Sequence, residues 1–290
     1  MKIGILGGGS VGLLLSSYLS REHEVFLYVR SLEQKELIEA EGIICDNRTA
    51  HVNVLLSDEL HKHSCDLMMI TVKQYHLTQI FDLLPAQTPL LFLQNGMAHL
   101  SLLEKLKNPC AVGVVEHGAL KIAMNQVSHT GKGSVQMAVF KGEADVIGWA
   151  QLISKDEFPF YSCGNYYYML SRKLIINTVI NPLTAIFQVK NAHIIENPHI
   201  RFLAHKLCQE ASIALNLDNE EQWERITNIA ENTGSNHSSM YKDILCGRKT
   251  EIEAISGYIF QILNEQAPFH EFVIESIRAL EEKNRKGERL

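Results

Sequence analysis

Short apolar runs alternate with amphipathic stretches through the first half of the chain. The apolar runs are short enough for strands, and the stretches between them have the spacing of helices. This alternation is typical of α/β proteins and predicts a doubly wound parallel sheet. Beyond the first apolar run and its helix, the predicted elements are strands at 23–30, 66–72, 89–94, 111–116, 134–140 and 144–148, and helices at 32–41 and 76–84.

The pattern changes near residue 163. Residues 166–187 form one long helical pattern, and the residues after it favour further helices with little strand signal. Thr250 and Glu253 have the spacing of a capping box, which predicts the start of one of these helices. We therefore predict two domains, an α/β domain over residues 1–163 and an all-helical domain over residues 164–290.

Composition and charge exclude several classes of partner. Of the 290 residues, 46% are apolar, and the formal net charge is −6 without a basic stripe that could follow a nucleic-acid backbone. No apolar run is long enough to span a membrane, and glycines at 7–9 interrupt the N-terminal run that otherwise resembles a signal peptide. We therefore expect neither nucleic acid nor a membrane as a partner.

The cysteines and histidines give no sign of a metal site. The 6 cysteines are scattered without a CxxC pair, which favours free thiols and a cytoplasmic location. The 13 histidines are not joined by cysteines or carboxylates at metal-ligand spacing, so we predict no metal. The sequence leaves a monomer and a homodimer both open.

Gly7, Gly9 and Gly12 have the G-x-G-x-x-G spacing of a dinucleotide-binding turn. In such a turn the first glycine permits the bend, the second lets the backbone approach a pyrophosphate, and the third allows close packing of helix on strand. An apolar strand precedes the turn and an apolar helix follows it, so the phosphates would lie at a helix N-terminus. The predicted cofactor-binding residues here are Gly7, Gly8, Gly9, Ser10, Val11 and Gly12.

The end of the second predicted strand bears on the choice of cofactor. NAD-binding proteins usually carry an acidic residue near this point, whereas an arginine suits the 2′-phosphate of NADP. Arg30 ends the strand, which predicts NADPH/NADP+; a solvated arginine at a strand end is the alternative. Lys73 and Asn95 also follow predicted strands, so we expect them at the same edge of the sheet, with the cofactor.

Three polar residues lie within the long apolar helix of the second half. Lys173, Asn177 and Asn181 are spaced four apart and therefore share one face. Asparagine is a poor helix former, and a solvent-exposed helix face normally carries other polar residues. We therefore favour a cleft lined with hydrogen-bond donors over a solvent-exposed face. Glu251 has a sufficient structural role in complementing the dipole of its helix.

Several segments together resemble the ketopantoate reductase family. The most specific is Lys-x-x-x-Asn-x-x-x-Asn-Pro-Leu-Thr-Ala at residues 173–185, and the similarity runs in order through both halves of the chain. The other matching segments are residues 7–12, Lys73, residues 94–97, 116–119, 129–133 and 238–240, with Asp243, Thr250 and Glu251.

The resemblance implies an NADPH-dependent oxidoreductase that reduces 2-dehydropantoate (ketopantoate) to (R)-pantoate, on the pantothenate pathway to coenzyme A. It also implies an N-terminal Rossmann-type domain followed by a helical domain like that of 6-phosphogluconate dehydrogenase. Carried over by position, Lys173 is the proton donor and Glu251 lies near the nicotinamide and this lysine. The other matched positions are Asn95 and Ala119 for the cofactor, and Asn95, Asn177, Asn181, Asn191 and Ser239 for the substrate.

One position departs from the family pattern, and it concerns packing. The family often has tryptophan two residues before the lysine, where this chain has Ser171. The lysine itself is retained. A positioned cation that can also donate a proton suits the negative charge that hydride transfer leaves on a ketone oxygen. Glu251 then gains a second interpretation, as the counter-charge that keeps Lys173 protonated.

The sequence is also compatible with two other functions. A related NADP-dependent reductase could act on a different keto acid, because pocket shape decides substrate choice. A nucleotide-sensing protein could bind NADPH without turnover, although a sensor need not retain a proton donor.

Overall fold

The computed structural model describes residues 1–287. Its contacts divide the chain into two units, made of residues 1–94 with 99–169, and of residues 95–98 with the chain from residue 170 onward. The predicted boundary after residue 163 lies just before helix Tyr166–Phe187, and the division by contacts falls inside this helix. Residues 95–98 follow a strand of the first unit but pack with the helices of the second.

An eight-stranded sheet forms the centre of the first unit. In spatial order its strands are β12 (Phe160–Ser162), β11 (Val135–Lys141), β8 (Cys110–Val115), β7 (Leu90–Phe92), β6 (Leu67–Ile70), β1 (Lys2–Leu6), β2 (Glu24–Val29) and β5 (Asn53–Leu56). Every residue of β6, and of β1 after Lys2, is buried, as parallel strands covered on both faces require. Strands β8 to β5 are all parallel, which confirms the predicted α/β class.

One antiparallel pair of strands makes this mainly parallel sheet mixed. Strand β11 is antiparallel to β8. Parallel neighbours need a crossover connection, usually a helix, whereas the chain between these two strands forms β9 (Gly118–Lys121) and β10 (Gln126–Gly131). The chain therefore returns to the sheet in the opposite direction.

A second sheet of four strands packs on the first helix and was not predicted. Its spatial order is β4 (Arg48–Ala50), β3 (Ile43–Cys45), β10 and β9, and β3 and β10 both contact the helix Ser10–Leu19. Strands as short as β3 and β4 carry too few alternating positions to show a period in the sequence. This sheet places β9 and Lys121 close to the glycine-rich turn.

The helices of the first unit correct two sequence-based predictions. Residues 144–148 were predicted as a strand, but Asp145 caps a helix there by accepting a hydrogen bond from the N–H of Gly148. Residues 76–84 form 3₁₀ turns around one short helix instead of a continuous helix. The helices are α1 (Ser10–Leu19), α2 (Leu32–Glu41), α3 (Leu77–Ile80), α4 (Leu100–Leu103) and α5 (Val146–Ile153), with 3₁₀ turns at Ser57–Lys62, Gln74–His76 and Phe81–Leu83.

The regular secondary-structure elements in the described part of the second unit are all helices, as the family resemblance implies. Its longest helix, α6, has the predicted bounds. The full set is α6 (Tyr166–Phe187), α7 (His193–Glu196), α8 (Pro198–Leu215), α9 (Asn219–Asn232), α10 (Ser239–Leu245), α11 (Tyr258–Ile262) and α12 (Pro268–Arg285), with a π-helical turn at Glu253–Gly257. Within residues 1–287, no helix combines the length and the apolarity that a membrane span needs.

The predicted capping box at Thr250 and Glu253 is wrong. The N–H of Thr250 donates instead to the carboxylate of Glu281 on α12, at 2.7 Å, and Glu253 accepts a hydrogen bond from Arg278, at 2.8 Å. Glu253 is the first residue of the π-helical turn, and its carboxylate accepts from Arg278 instead of from the N–H of Thr250. The Thr250 hydroxyl still accepts a hydrogen bond from the N–H of Ile252, at 3.3 Å. Partners on α12 thus bind the Thr250 N–H and the Glu253 carboxylate, whereas the contact of the Thr250 hydroxyl stays local.

A buried histidine in the first unit makes stability sensitive to acid. The side chain of His99 is fully buried, and neither ring nitrogen has a hydrogen-bond partner within residues 1–287. Burial lowers the pKa of His99 to about 4. Burial, followed by the charge of His129, also lowers the pKa of His117 to about 4.

We expect acid to destabilise the protein through His99. The unfolded chain binds a proton at this imidazole near pH 6.5, whereas the folded protein does so only near pH 4, so protonation favours unfolding between these values. Lowering the pH from 7 to 5 should cost about 2 kcal/mol of unfolding free energy from His99 alone. Denaturant unfolding at both pH values tests this, and His99→Leu should remove that part of the difference. An equal pH dependence in the variant would contradict the assignment.

Candidate functional site

Three of the predicted cofactor residues follow neighbouring parallel strands of the first unit. Gly7 comes directly after β1, Arg30 comes directly after β2, and Lys73 follows β6 closely. Because β6, β1 and β2 are adjacent and parallel, these residues lie at one edge of the sheet. Ligands bind at this carboxyl edge in open α/β sheets.

The glycine-rich turn leaves room for a phosphate at its second glycine. Helix α1 begins at Ser10, and its first intrahelical bond runs from the N–H of Leu13 to the carbonyl of Gly9. The N–H groups of Ser10, Val11 and Gly12 precede that bond, at the end of the helix where anions bind. A Cβ at Gly9 would meet no atom within 4 Å in the described chain, so the space in front of the helix is open.

The third glycine of the turn has a packing role. A Cβ at Gly12 would lie 1.8 Å from the carbonyl oxygen of Gly7, so only glycine permits this approach of helix to strand. The turn therefore fits a dinucleotide diphosphate in two respects. Gly12 allows the helix to pack tightly on the strand, and Gly9 leaves an open space lined with N–H donors.

Arg30 lies beside the start of the next helix. All residues of β2 from Val25 to Val29 are buried, whereas Arg30 is exposed. Ser31 caps helix α2 by accepting a hydrogen bond from the N–H of Gln34, at 3.3 Å. An exposed guanidinium and a helix N-terminus thus lie together at the point where NADP-binding proteins hold the 2′-phosphate.

Two residues beside the turn were missed by sequence reasoning. The carbonyl oxygen of Gly8 accepts hydrogen bonds from Gln34 Nε2, at 2.9 Å, and from Lys121 Nζ, at 2.7 Å. Gln34 Nε2 also donates to the carbonyl of Met124, at 2.6 Å. Lys121 lies on β9, the strand that also carries the predicted cofactor residue Ala119. Nothing in the local sequence indicated Lys121, because the sheet that brings it to the turn was not predicted.

Helix α6 of the second unit carries the predicted catalytic face. Lys173 and Asn177 are half-buried, and Asn181 is buried. The position of Ser171, where the family often has tryptophan, is fully buried, and its hydroxyl lies 3.7 Å from the sulfur of Met97. The helix face that carries Lys173, Asn177 and Asn181 is therefore partly exposed to solvent, as residues lining a cleft would be.

A buried hydrogen-bond network holds α6 from the side of Thr178. The Thr178 hydroxyl lies 3.0 Å from both His270 Nε2 and the Ser256 hydroxyl, and His270 Nδ1 lies 2.7 Å from Glu210. Burial, opposed by the Glu210 carboxylate, lowers the pKa of His270 and keeps the ring neutral at pH 7. Nδ1–H then donates to Glu210 and Nε2 accepts from Thr178. The network fixes α6 to the π-helical turn that follows Glu251.

Asn95 and Glu251 are in direct contact in the second unit. Asn95 Nδ2 donates to Glu251 Oε2 at 3.0 Å, and the Glu251 side chain is buried. Gly96 makes this possible, because a Cβ there would lie 2.1 Å from the carbonyl of Ala254, and its φ is +81°. The structure thus brings together two predicted site residues, and it adds Gly96 as the residue that permits their approach.

The remaining predicted substrate residues lie on other elements. Asn191 is buried and donates from Nδ2 to the Thr233 hydroxyl at 3.0 Å, while its Oδ1 has no partner among residues 1–287. Ser239 is exposed in the first turn of α10, whose cap is the buried Ser238. The Thr184 hydroxyl of α6 lies 2.8 Å from the Ser238 hydroxyl. In the described part of the chain, no three histidine, cysteine or acidic residues are grouped as metal ligands.

Two family models match the chain in succession. The model described as ketopantoate reductase PanE/ApbA matches residues 3–142, and the one described as ketopantoate reductase PanE/ApbA C terminal matches residues 165–281. The 2-dehydropantoate 2-reductase of Bacillus subtilis (strain 168) is 39% identical over 296 residues, which cover 99% of either chain. The protein of that name from Listeria monocytogenes is 34% identical, over 88% of this chain and 89% of its own.

A solved structure agrees with these matches. The structure of the probable 2-dehydropantoate 2-reductase PanE from Bacillus subtilis superposes with a TM-score of 0.86 at 37% identity, covering 97% of this chain and 100% of its own. Sequence and fold therefore agree over both units. The chain belongs to the ketopantoate reductase PanE/ApbA family of oxidoreductases.

Proposed function

We propose that this chain reduces 2-dehydropantoate to (R)-pantoate with NADPH, in the biosynthesis of pantothenate and coenzyme A. The observation that carries the proposal is the α6 face of Lys173, Asn177 and Asn181, in a chain 39% identical to a 2-dehydropantoate 2-reductase over nearly its full length. One cation and two amides are the donors that a keto acid with a hydroxyl group needs.

The first unit would hold NADPH, which supplies the hydride when bound. The open space at Gly9 and the N–H groups of Ser10 and Val11 suit its diphosphate. The exposed guanidinium of Arg30, beside the N-terminus of α2, suits its 2′-phosphate. An arginine at this position favours NADPH over NADH.

Lys173 would act on the ketone oxygen of the substrate. A cation there stabilises the negative charge that develops on this oxygen, and the ammonium then donates a proton to it. The buried carboxylate of Glu251 would keep the lysine protonated. The Asn95 amide, hydrogen-bonded to Glu251, would orient this carboxylate.

The asparagines would bind the substrate groups other than the ketone. Asn177 and Asn181 can donate to the carboxylate or hydroxyl oxygens of 2-dehydropantoate, and Ser239 can add a hydroxyl. Asn191 offers a buried acceptor, Oδ1, that pairs with nothing in residues 1–287. A buried acceptor left unpaired costs about 1–3 kcal/mol, so a substrate hydroxyl that reached it would be favoured.

The loss of NADPH absorbance with a panel of keto acids tests the proposal. The sharpest comparison is with trimethylpyruvate, which differs from 2-dehydropantoate by the absence of one hydroxyl. We expect kcat/KM to be roughly 10²–10⁴-fold lower for trimethylpyruvate, because a site built to bind a hydroxyl leaves its polar groups unpaired with the analogue.

Other outcomes would point to the other functions. Equal kcat/KM for the two compounds, or a higher value for an aromatic 2-keto acid, would indicate a reductase for a different substrate. Tight NADPH binding without turnover of any keto acid would indicate a sensor. Either result would overturn the proposal as stated.

A further inference from the structure

Lys121 is a half-buried cation whose charge no carboxylate compensates within residues 1–287. Its ammonium donates to the carbonyl oxygen of Gly8 at 2.7 Å, and no carboxylate lies within 4 Å of it in residues 1–287. The side chain is half-buried, and burial lowers the pKa of its ammonium. Lys35, which is also half-buried, pairs by contrast with Glu39 and Glu59.

The Gly8 carbonyl does not by itself explain a lysine at this position. Gln34 Nε2 already donates to the same oxygen at 2.9 Å and ties it to the carbonyl of Met124. A neutral donor would therefore satisfy Gly8 without the cost of burying part of a charge. A half-buried cation is stabilised when an anion binds beside it.

The surroundings of Lys121 indicate which anion this is. Gly8 adjoins Gly9, where the space in front of α1 is open. Gln34 belongs to α2, whose cap Ser31 directly follows the exposed Arg30. The ammonium thus lies at the glycine-rich turn, on the side of the α2 N-terminus, in the region where a dinucleotide presents its phosphates.

We infer that the Lys121 ammonium pairs with a phosphate group of the dinucleotide bound at the glycine-rich turn. The inference rests on the proposed function, since it requires that the first unit binds a nicotinamide dinucleotide. Two phosphate groups have the required chemistry, the diphosphate that NADPH and NADH share and the 2′-phosphate that only NADPH carries. Lys121 is therefore an affinity determinant and, if it pairs with the 2′-phosphate, a specificity determinant.

Dinucleotide binding without keto acid tests this directly. We would titrate NADPH and NADH by fluorescence into the full-length protein and into Lys121→Met, with Lys107→Met as an exposed matched control. Losing one charge-assisted pair should weaken binding roughly 10- to 100-fold, and Lys107→Met should match the wild type. Weaker binding of NADPH alone assigns the 2′-phosphate, and equally weaker binding of both cofactors assigns the diphosphate.

A second variant separates charge from the geometry of the turn. Lys121→Gln keeps a donor for the Gly8 carbonyl but removes the charge, so we expect it to lose as much affinity as Lys121→Met. Wild-type affinity in Lys121→Gln, or in both variants, would overturn the inference. If the wild-type protein itself bound neither cofactor, the proposed function and this inference would both be overturned. Wild-type binding that the Lys121 variants retain would overturn this inference alone.

Discussion

Replacing Lys173 by alanine should lower kcat for the reduction of 2-dehydropantoate roughly 10²–10⁴-fold, the range typical of losing a positioned general acid. The physical reason is that water would have to protonate the developing alkoxide in place of a held ammonium. Steady-state kinetics with saturating NADPH measure the effect. Lys286→Ala is a suitable control, because Lys286 is an exposed lysine near the end of α12 whose ion pair with Glu282 is solvated.

Two further measurements distinguish catalysis from packing in Lys173→Ala. The NADPH dissociation constant should stay near the wild-type value, because the proposed cofactor contacts lie in the first unit. The melting temperature should also change little, since Lys173 is only half-buried. A kcat within about twofold of the wild type would show that Lys173 has no catalytic role and lies on a solvent-exposed helix face.

Gly9→Val should weaken NADPH binding roughly 10²–10⁴-fold, because the valine side chain would fill the space proposed for the diphosphate and prevent its bonds to the helix N–H groups. We expect the folded protein to tolerate the substitution. A Cβ at Gly9 meets no atom within 4 Å in residues 1–287, and the extended φ of −82° suits valine. We expect a stability loss of about 1 kcal/mol, from the weaker helix cap.

The same substitution elsewhere provides the control for Gly9→Val. Gly164 is exposed, and a Cβ there also meets nothing within 4 Å of it in the described chain, so Gly164→Val should leave NADPH binding unchanged. Fluorescence titration of NADPH compares the two variants. Wild-type affinity in Gly9→Val would show that the glycine-rich turn is a structural turn only.

The parts of the fold that short-range sequence patterns encode were predictable. The glycine turn, helix α1 and the long helix α6 each depend on residues a few positions apart, and the structure has them where the pattern indicated. The Ser31 cap and the end of α2 at Gly42 are local in the same sense. These elements explain why the fold class and the cofactor turn could be proposed from residues alone.

The parts that depend on distant residues could not be predicted in this way. The Asn95–Glu251 contact joins residues 156 positions apart, and the Lys121–Gly8 contact joins residues 113 positions apart. The capping prediction at Thr250 failed for the same reason, because Glu281 on another helix supplies the acceptor. Local spacing shows which residues can meet, whereas packing decides which of them do.

The most direct test of the proposed function is to identify the product. The wild-type protein would be incubated with 2-dehydropantoate and limiting NADPH, and the pantoate formed would be quantified by chiral chromatography against the NADPH consumed. We expect one (R)-pantoate for each NADPH oxidised. NADPH consumption without (R)-pantoate, or no consumption by a folded protein that binds NADPH, would contradict it.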